Sequence, residues 1–328
     1  AVIGIVAPFL LGFAYWMIAE PSLGVHADGI SDTMVAIFVG ATLTATSVGI
    51  TARVLTDLKR MHTPEARVVI GAAVIDDILG LVILAVVSGL AAGAALTIFG
   101  IAKTFAVAVG FLVAAVILGN VVAPKLFGVV DRMRVRGVLL VSAISFALLI
   151  AALAGLAGSA LIIGSFAAGL VLSSTNQFDM IVEKTKPVSD IFTPIFFVSV
   201  GSSVNVGLFI PGSEDFNATV LAVGGMLVLI AIVGKVISGY AVGWGKNKLN
   251  HLAIGIGMVP RGEVGLIFAE IGRTNGILSD EVFSAILVMV MATTFVAPPL
   301  LKVIFRGTGD APPAREPVVA EVPAHSGQ

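Results

Sequence analysis

The sequence predicts an all-α membrane protein that crosses a bilayer about ten times. Three observations predict it. Of the 328 residues, 58% are hydrophobic and 12% charged, against roughly 45–50% and 25% in a soluble domain. So few charges cannot cover a water-soluble fold of this length, which excludes the soluble enzyme classes. Apolar runs of about 20 residues recur, each long enough for a ~30 Å hydrocarbon core. The basic residues fall in alternate connections between those runs. The absence of cysteine removes disulfides, thiolate metal sites and a thiol nucleophile. A net charge of −1 offers no basic surface to nucleic acid.

The runs follow in order. The first, Val2–Ile18, has no positively charged stretch before it and is not a signal peptide. A chain that opens at Ala1, directly in an apolar run, is expected to lack its true beginning. The second, Thr33–Leu55, is dense in Thr, Ser and Gly over GATLTATSVGITA (Gly40–Ala52). The third, Val68–Ala92, holds Asp76 and Asp77. The fourth, Leu96–Val121, holds only Lys103, read as snorkelling to an interface. The fifth, Gly137–Ala157, and the short sixth, Gly158–Ser173, are apolar throughout. The seventh, Ile191–Ile210, carries Phe192, Phe196 and Phe197, expected in the core. The eighth, Ala218–Trp244, holds Lys235. The ninth, Leu252–Ile271, reads GIGMVPRGEVG over Gly255–Gly265, with a proline and four glycines, and places Glu270 near an outer vestibule. The tenth is Val282–Ile304. From Gly307 the tail is rich in Pro, Ala and Glu and is expected to be disordered.

Loop charge supports the count. Arg53, Lys59, Arg60 and Arg67 mark one connection, and Lys125, Arg132, Arg134 and Arg136 the next basic one. Lys184 and Lys186, then Lys246 and Lys248, then Lys302, Arg306 and Arg315 complete the series. Of the 19 basic residues, 15 lie on this one side, which makes it and the C-terminus cytoplasmic.

Ionisable residues inside spans are functional candidates by default. Asp76 lies nine residues beyond Arg67, Lys235 lies 11 before Lys246, and Glu263 lies 15 beyond Lys248. At 1.5 Å per residue they share a depth of roughly 14–22 Å, near mid-membrane. The unusual second and ninth runs each lie one helix in from an end of the chain. Interrupted segments at corresponding places are the sequence pointer to an inverted-repeat transporter. Unwound backbone is tolerated at that depth only where it is buried or lines a cavity. Spans one to three and eight to ten are therefore expected to be the repeats, crossing at their breaks.

Adjacent residues on a helix point about 100° apart, so one aspartate can face an ion path and the other a neighbouring helix. Two carboxylates in an apolar span cannot both stay ionised cheaply, so protons can compete there with a hard monovalent cation. Hydroxyls of Thr42, Thr44, Thr46, Ser47 and Thr51 stand ready in the second run, though each can equally serve helix packing. Lys235 can neutralise one aspartate, or act as a purely structural counter-charge. Arg261 and Glu263 are read first as caps on exposed backbone that pair with each other.

The segments TATSVGITARVL (Thr44–Leu55), GAAVIDDILGLVILAVV (Gly71–Val87), PIFFVSVGSSV (Pro194–Val204) and MVPRGEVGLI (Met258–Ile267) resemble the cation:proton antiporter-2 family. The resemblance runs from Val2 to Ile304. It implies a sodium/proton antiporter fold with two crossed broken helices and an origin short of the family's first two helices or so. It implies a core of residues 1–92 and 218–304, a crossing helix over 96–121 and a dimerisation part over 137–210. Asp77 matches the family's cation-binding acid and Asp76 the acid that pairs with the lysine, here Lys235. Thr46 and Ser47 match the segment near the ion, and Arg261 and Glu263 the charged pair at the other break. An Asp-Asp pair implies electrogenic exchange of two protons per sodium ion.

The expectation is thus a homodimeric secondary antiporter of a prokaryotic plasma membrane, serving pH homeostasis. It would exchange cytoplasmic monovalent cation for external protons by alternating access. It would use no cofactor beyond the transported Na+ or K+ and H+, and take no nucleic acid. The short tail holds no Gly-x-Gly-x-x-Gly nucleotide motif. Two alternatives stay open: a potassium/proton antiporter or potassium-efflux system of the same fold, and a sodium-coupled organic anion symporter, for which only Arg261 offers a cationic substrate contact.

Overall fold

The structure, a computed structural model, describes residues 1–23, 30–91, 97–133, 135–242 and 249–306. Its described residues form twelve α-helices and one short 3-10 helix. They are α1 (Val2–Leu23), α2 (Asp32–Thr42), α3 (Val48–Asp57), α4 (Pro64–Ala91), α5 (Ile98–Arg132) and α6 (Val138–Leu156). Then come α7 (Leu161–Leu172), α8 (Phe178–Ser202), the 3-10 turn Val206–Phe209, α9 (Ala218–Tyr240), α10 (His251–Gly257), α11 (Glu263–Thr274) and α12 (Asp280–Arg306). Six of them, α1, α4, α5, α6, α9 and α12, are long and apolar enough to cross a membrane. Helices α2 and α7 are shorter apolar segments. The tail from Gly307, together with Arg134, Lys246, Lys248 and Arg315 and the run ends at Ala92, Leu96 and Trp244, lies outside the described residues.

Local chemistry starts and stops these helices. Thr97 accepts a hydrogen bond from the Gly100 amide (3.0 Å) and opens α5. Asn217 and Asn250 do the same for α9 and α10 through Thr219 and Ala253. Such caps satisfy amides that have no partner in the first turn. Gly158, at φ 78°, makes the left-handed turn between α6 and α7 that a side chain would strain.

Two apolar clusters organise the bundle. The larger, around Trp16, Phe38, Leu84, Leu227, Phe268 and Phe283, joins α1, α2, α4, α9, α11 and α12 and takes in Ala108 of α5, Ile163 of α7 and Val200 of α8. The smaller joins α5 to α8 around Phe127, Phe146, Ala168 and Val171. Helix α4 packs on both α5 and α7 and links the two groups. Outward faces stay apolar, as Ile117 and Leu118 on α5 and Leu148 and Leu149 on α6 illustrate. That suits a lipid surround or a partner rather than water.

The phenylalanine cluster departs from expectation. Phe192 is 64% exposed and Phe197 42%, and only Phe196 packs against the larger core. Helix α8 lies at the bundle's periphery, and lipid is as apolar as protein interior, so hydropathy does not separate the two faces.

Helices α6 and α7 approach so closely at Gly164 that a Cβ there would land on the Ile150 carbonyl oxygen and the Ala151 backbone. Backbone cannot step aside as a flexible side chain can. Gly164→Val should therefore cost about 1–3 kcal/mol by overpacking. A clear fall in melting temperature in detergent checks this, and unchanged melting would show that the two helices can part freely.

Candidate functional site

The second apolar run is two helices, α2 and α3, with a non-helical segment over Leu43–Ser47 between them. The ninth is likewise α10 and α11, parted over Met258–Gly262. The interruptions touch each other. The Ser47 amide donates to the Pro260 carbonyl at 2.8 Å. Thr51 Oγ1 donates to the Gly257 carbonyl at 2.6 Å, and Thr46 Oγ1 reaches the Met258 carbonyl at 3.4 Å. Each break thus supplies part of the hydrogen bonding the other has lost, as unwound backbone in an apolar medium requires.

Asp76 lies beside this junction, carried by the long helix α4 and 1% exposed. Its Oδ2 accepts from Lys235 Nζ at 2.8 Å and from Thr46 Oγ1 at 3.0 Å. Lys235, on α9 and wholly buried, also donates to the Thr44 carbonyl at 3.0 Å. Arg261, wholly buried too, donates through Nη1 to the Ala45 carbonyl. Thr294 Oγ1 on α12 donates to the Arg261 carbonyl at 2.5 Å, tying the second break to a third helix. Three consecutive residues, Thr44, Ala45 and Thr46, therefore hold Lys235, Arg261 and Asp76 together. Asp76 Oδ1 and the Nε and Nη2 of Arg261 are buried and take no hydrogen bond among the described residues.

Asp77 points differently, as neighbours on a helix must. It is half-buried, and among the described residues it makes no hydrogen bond or ion pair. The negative charges of Glu263 and Asp76 bear on it. An acid left without a protein partner keeps its oxygens free for a hard cation.

Several expectations need correction. Arg261 and Glu263 do not pair: Arg261 turns inward to the first break, and Glu263, at the start of α11, is exposed. The pairing fails because the uncapped carbonyl of Ala45 lies within reach of the guanidinium. Of the five candidate hydroxyls, only Thr46 meets an acid. Thr42 and Thr44 bond back to Val39 and Ala41 at 2.7 Å, satisfying their own helix end, and Thr51 serves the break. Ser47 contributes its backbone and packs its side chain against Gly262. Glu270 pairs with Arg273 at 3.0 Å. Lys103 is exposed on α5.

Other contributors escape sequence reasoning. Thr294 is one polar residue among many in apolar runs. Gly4 on α1 lies so close to Lys235 that a Cβ there would be 3.5 Å from Nζ. A cavity of about 550 Å³ opens beside the breaks, lined by Ser47, Arg261, Glu263, Phe197, Met291 and Phe295 among others. Glu263 also borders a second cavity of about 410 Å³, against α8.

A bundle of apolar helices with two touching breaks around a buried Asp–Lys pair is the architecture of a multi-pass membrane protein and is consistent with a transporter. Residues 1–307 match the family described as sodium/hydrogen exchanger, transmembrane. The chain belongs to that family, as a member of cation:proton antiporter-2 type. It is 42% identical over 318 residues to the high-affinity Na(+)/H(+) antiporter NhaS3 of Synechocystis, covering 97% of this chain and 67% of that protein. It is 32% identical over 305 residues to the Na(+)/H(+)-K(+) antiporter GerN of Bacillus cereus, covering 92% and 73%. It is 34% identical over 295 residues to the probable Na(+)/H(+) antiporter GerT of the same organism, covering 87% and 75%.

Proposed function

We propose that this protein is a secondary active, electrogenic sodium/proton antiporter that works by alternating access. The half-buried, unpaired Asp77 beside the Asp76–Lys235 pair carries the reading. Asp77 takes the cation, whose lost hydration is replaced by carboxylate, by the Thr46 hydroxyl and by carbonyl oxygens of the breaks. Ser47, Arg261 and Glu263 support that site from its two sides. The arriving charge competes with Lys235 for Asp76, and protons return when the cation leaves. Two acids and a lysine offer more than one exchangeable proton per cation, which supports unequal charge exchange.

The driving forces suffice. One pH unit supplies about 1.4 kcal/mol per proton. One net charge moving through 100 mV adds about 2.3 kcal/mol.

In this reading the chain crosses the membrane ten times, counting α2–α3 and α10–α11 as one broken crossing each. Residues 1–92 and 218–304 form the ion-carrying core as inverted repeats, 96–121 the crossing helix and 137–210 the dimerisation part. The smaller apolar cluster, confined to α5–α8, supports a separate dimerisation part. The C-terminus is cytoplasmic, in a prokaryotic plasma membrane.

A second reading, with potassium as the cation, draws support from the likeness to GerN, whose name includes K+. Organic anion symport is weakened, because Arg261 is wholly buried and engaged with the Ala45 carbonyl.

Proteoliposomes carrying a pH dye and a voltage dye test the proposal. A sodium pulse should move protons in the opposite direction and generate a voltage that a proton carrier alone does not abolish. A pH signal without voltage would make the exchange electroneutral. Neither signal with sodium or potassium would sink the antiporter reading.

A further inference from the structure

In the proposed exchange an arriving cation competes with Lys235 for Asp76, and a buried ammonium that leaves one partner needs another. Lys235 is wholly buried on α9, and its Nζ donates to Asp76 Oδ2 at 2.8 Å and to the Thr44 carbonyl at 3.0 Å. Those bonds use two of the three protons an ammonium carries. Helix α1 borders the same ammonium at Gly4. A Cβ built on Gly4 would lie 3.5 Å from Lys235 Nζ, 3.5 Å from Ser238 Oγ and 3.2 Å from Met258 Cε, its three nearest atoms outside α1. The first two are ordinary contact distances, and the third is to the free end of a flexible side chain.

Packing therefore does not demand glycine at this position. A second contact between the same two helices gives the contrast. A Cβ on Gly234 of α9 would fall 2.9 Å from the Pro8 Cα of α1, where backbone leaves it no room. One turn away on α1, Gly4 leaves a methyl-sized space between an ammonium and a hydroxyl. Ser238 follows Lys235 by three residues, on the same face of α9. Its Oγ donates to the Lys235 carbonyl at 2.7 Å, so its lone pairs remain available to accept.

We propose that Gly4 and Ser238 form a release pocket for Lys235: when a cation at Asp77 displaces the ammonium from Asp76, Nζ swings into the space beside Gly4 and donates to Ser238 Oγ. This rests on the antiporter reading and adds to it two positioning residues on α1 and α9. The swing needs only rotation about the flexible four-carbon stem, and no proton has to move. An ammonium in that space comes within the about 2.7–3.2 Å of a hydrogen bond to the hydroxyl. Neither Asp76 nor Thr44 lies as close to it as Ser238 does. Without the pocket, the displaced charge would stand uncompensated in an apolar interior, and the cation would have to win its site against that cost.

The pocket is also joined to the second break. Met258 Cε forms its third wall, and Met258 Sδ lies 3.9 Å from Ser238 Oγ. The carbonyl of the same residue accepts from Thr46, whose hydroxyl also reaches Asp76. An ammonium entering the space pushes on Met258 as it frees Asp76, so opening of the pair and the geometry of the break change together.

Sodium titrations of exchange in proteoliposomes, paired with melting in detergent, test this. Gly4→Ala fills the space with one methyl. It should raise the sodium KM about three- to ten-fold and keep the maximal rate within about two-fold. Its melting temperature should be unchanged or higher, because alanine suits a helix better than glycine. Ser238→Ala keeps the space and removes the acceptor, and should raise KM to a similar degree. Gly4→Ala combined with Ser238→Ala should do little more than the larger single effect, because both act on one step. A Gly4→Ala protein with KM within about two-fold of wild type overturns the pocket while leaving exchange intact. Single effects that multiply in the double variant, or a fallen melting temperature in Gly4→Ala, overturn it too by making the two residues independent packing contacts. A wild-type protein that exchanges neither sodium nor potassium for protons refutes the antiporter reading itself, and the pocket with it.

Discussion

Asp77→Asn should reduce cation-driven proton flux by about a hundred-fold or more while leaving the helical bundle as stable as before. The size follows from charge. A contact to an ionised partner contributes about 1.5–3 kcal/mol, and each 1.4 kcal/mol is a factor of ten. An amide oxygen still ligates sodium but cannot neutralise it in an apolar setting, and asparagine has no proton to exchange at this position. The stability half follows from the absence of a partner. Asp77 makes no hydrogen bond or ion pair among the described residues, so asparagine of nearly the same shape strands nothing. It also relieves the like charge of Asp76 and Glu263. Proton flux and melting temperature, measured on one preparation, check both halves. Near-normal exchange in the mutant would remove Asp77 from its role. Loss of exchange together with a collapsed melting temperature would make the aspartate structural.

The sequence makes some of this site legible and hides the rest for identifiable reasons. Helix breaks at Leu43–Ser47 and Met258–Gly262 announce themselves, because Thr/Ser/Gly density and Pro-Arg-Gly are poor helix material in an apolar run. Depth arithmetic brings Lys235 level with the aspartate pair, since a buried ammonium must find an anion at its own level, and the family resemblance singles out Asp76 as its partner. The partner of Arg261 does not follow. It depends on which carbonyl the first break leaves free, a matter of tertiary register. Hydroxyl roles are equally hidden. Thr42 and Thr44 return to their own helix, while Thr46, two residues on, reaches the acid. Only the geometry of the unwound segment separates them.

The buried pair should show a marked asymmetry under mutation: Asp76→Asn should destabilise the protein more than Lys235→Gln, and the double change less than the sum of the two. Removing one partner of a buried ion pair costs about 3–5 kcal/mol, because the other charge is left uncompensated. The surroundings decide which loss is worse. Arg261 is a second buried cation whose field reaches both Asp76 and Lys235. With Asp76 neutralised, two cations face each other with only the Thr44 and Ala45 carbonyls to hold them. With Lys235 neutralised, Asp76 keeps the Thr46 hydroxyl and the field of Arg261. The Asp76→Asn, Lys235→Gln double mutant returns the inner group to one positive charge, as in the native protein, with an amide pair that can hydrogen-bond across the same gap. A melting series of the four proteins in detergent reads the coupling directly. The expected order is wild type, then Lys235→Gln and the double mutant close together, then Asp76→Asn lowest. A double mutant that loses as much as the two singles combined would show that the contact at 2.8 Å contributes nothing. An order in which Lys235→Gln falls below Asp76→Asn would show that Arg261 does not share the aspartate.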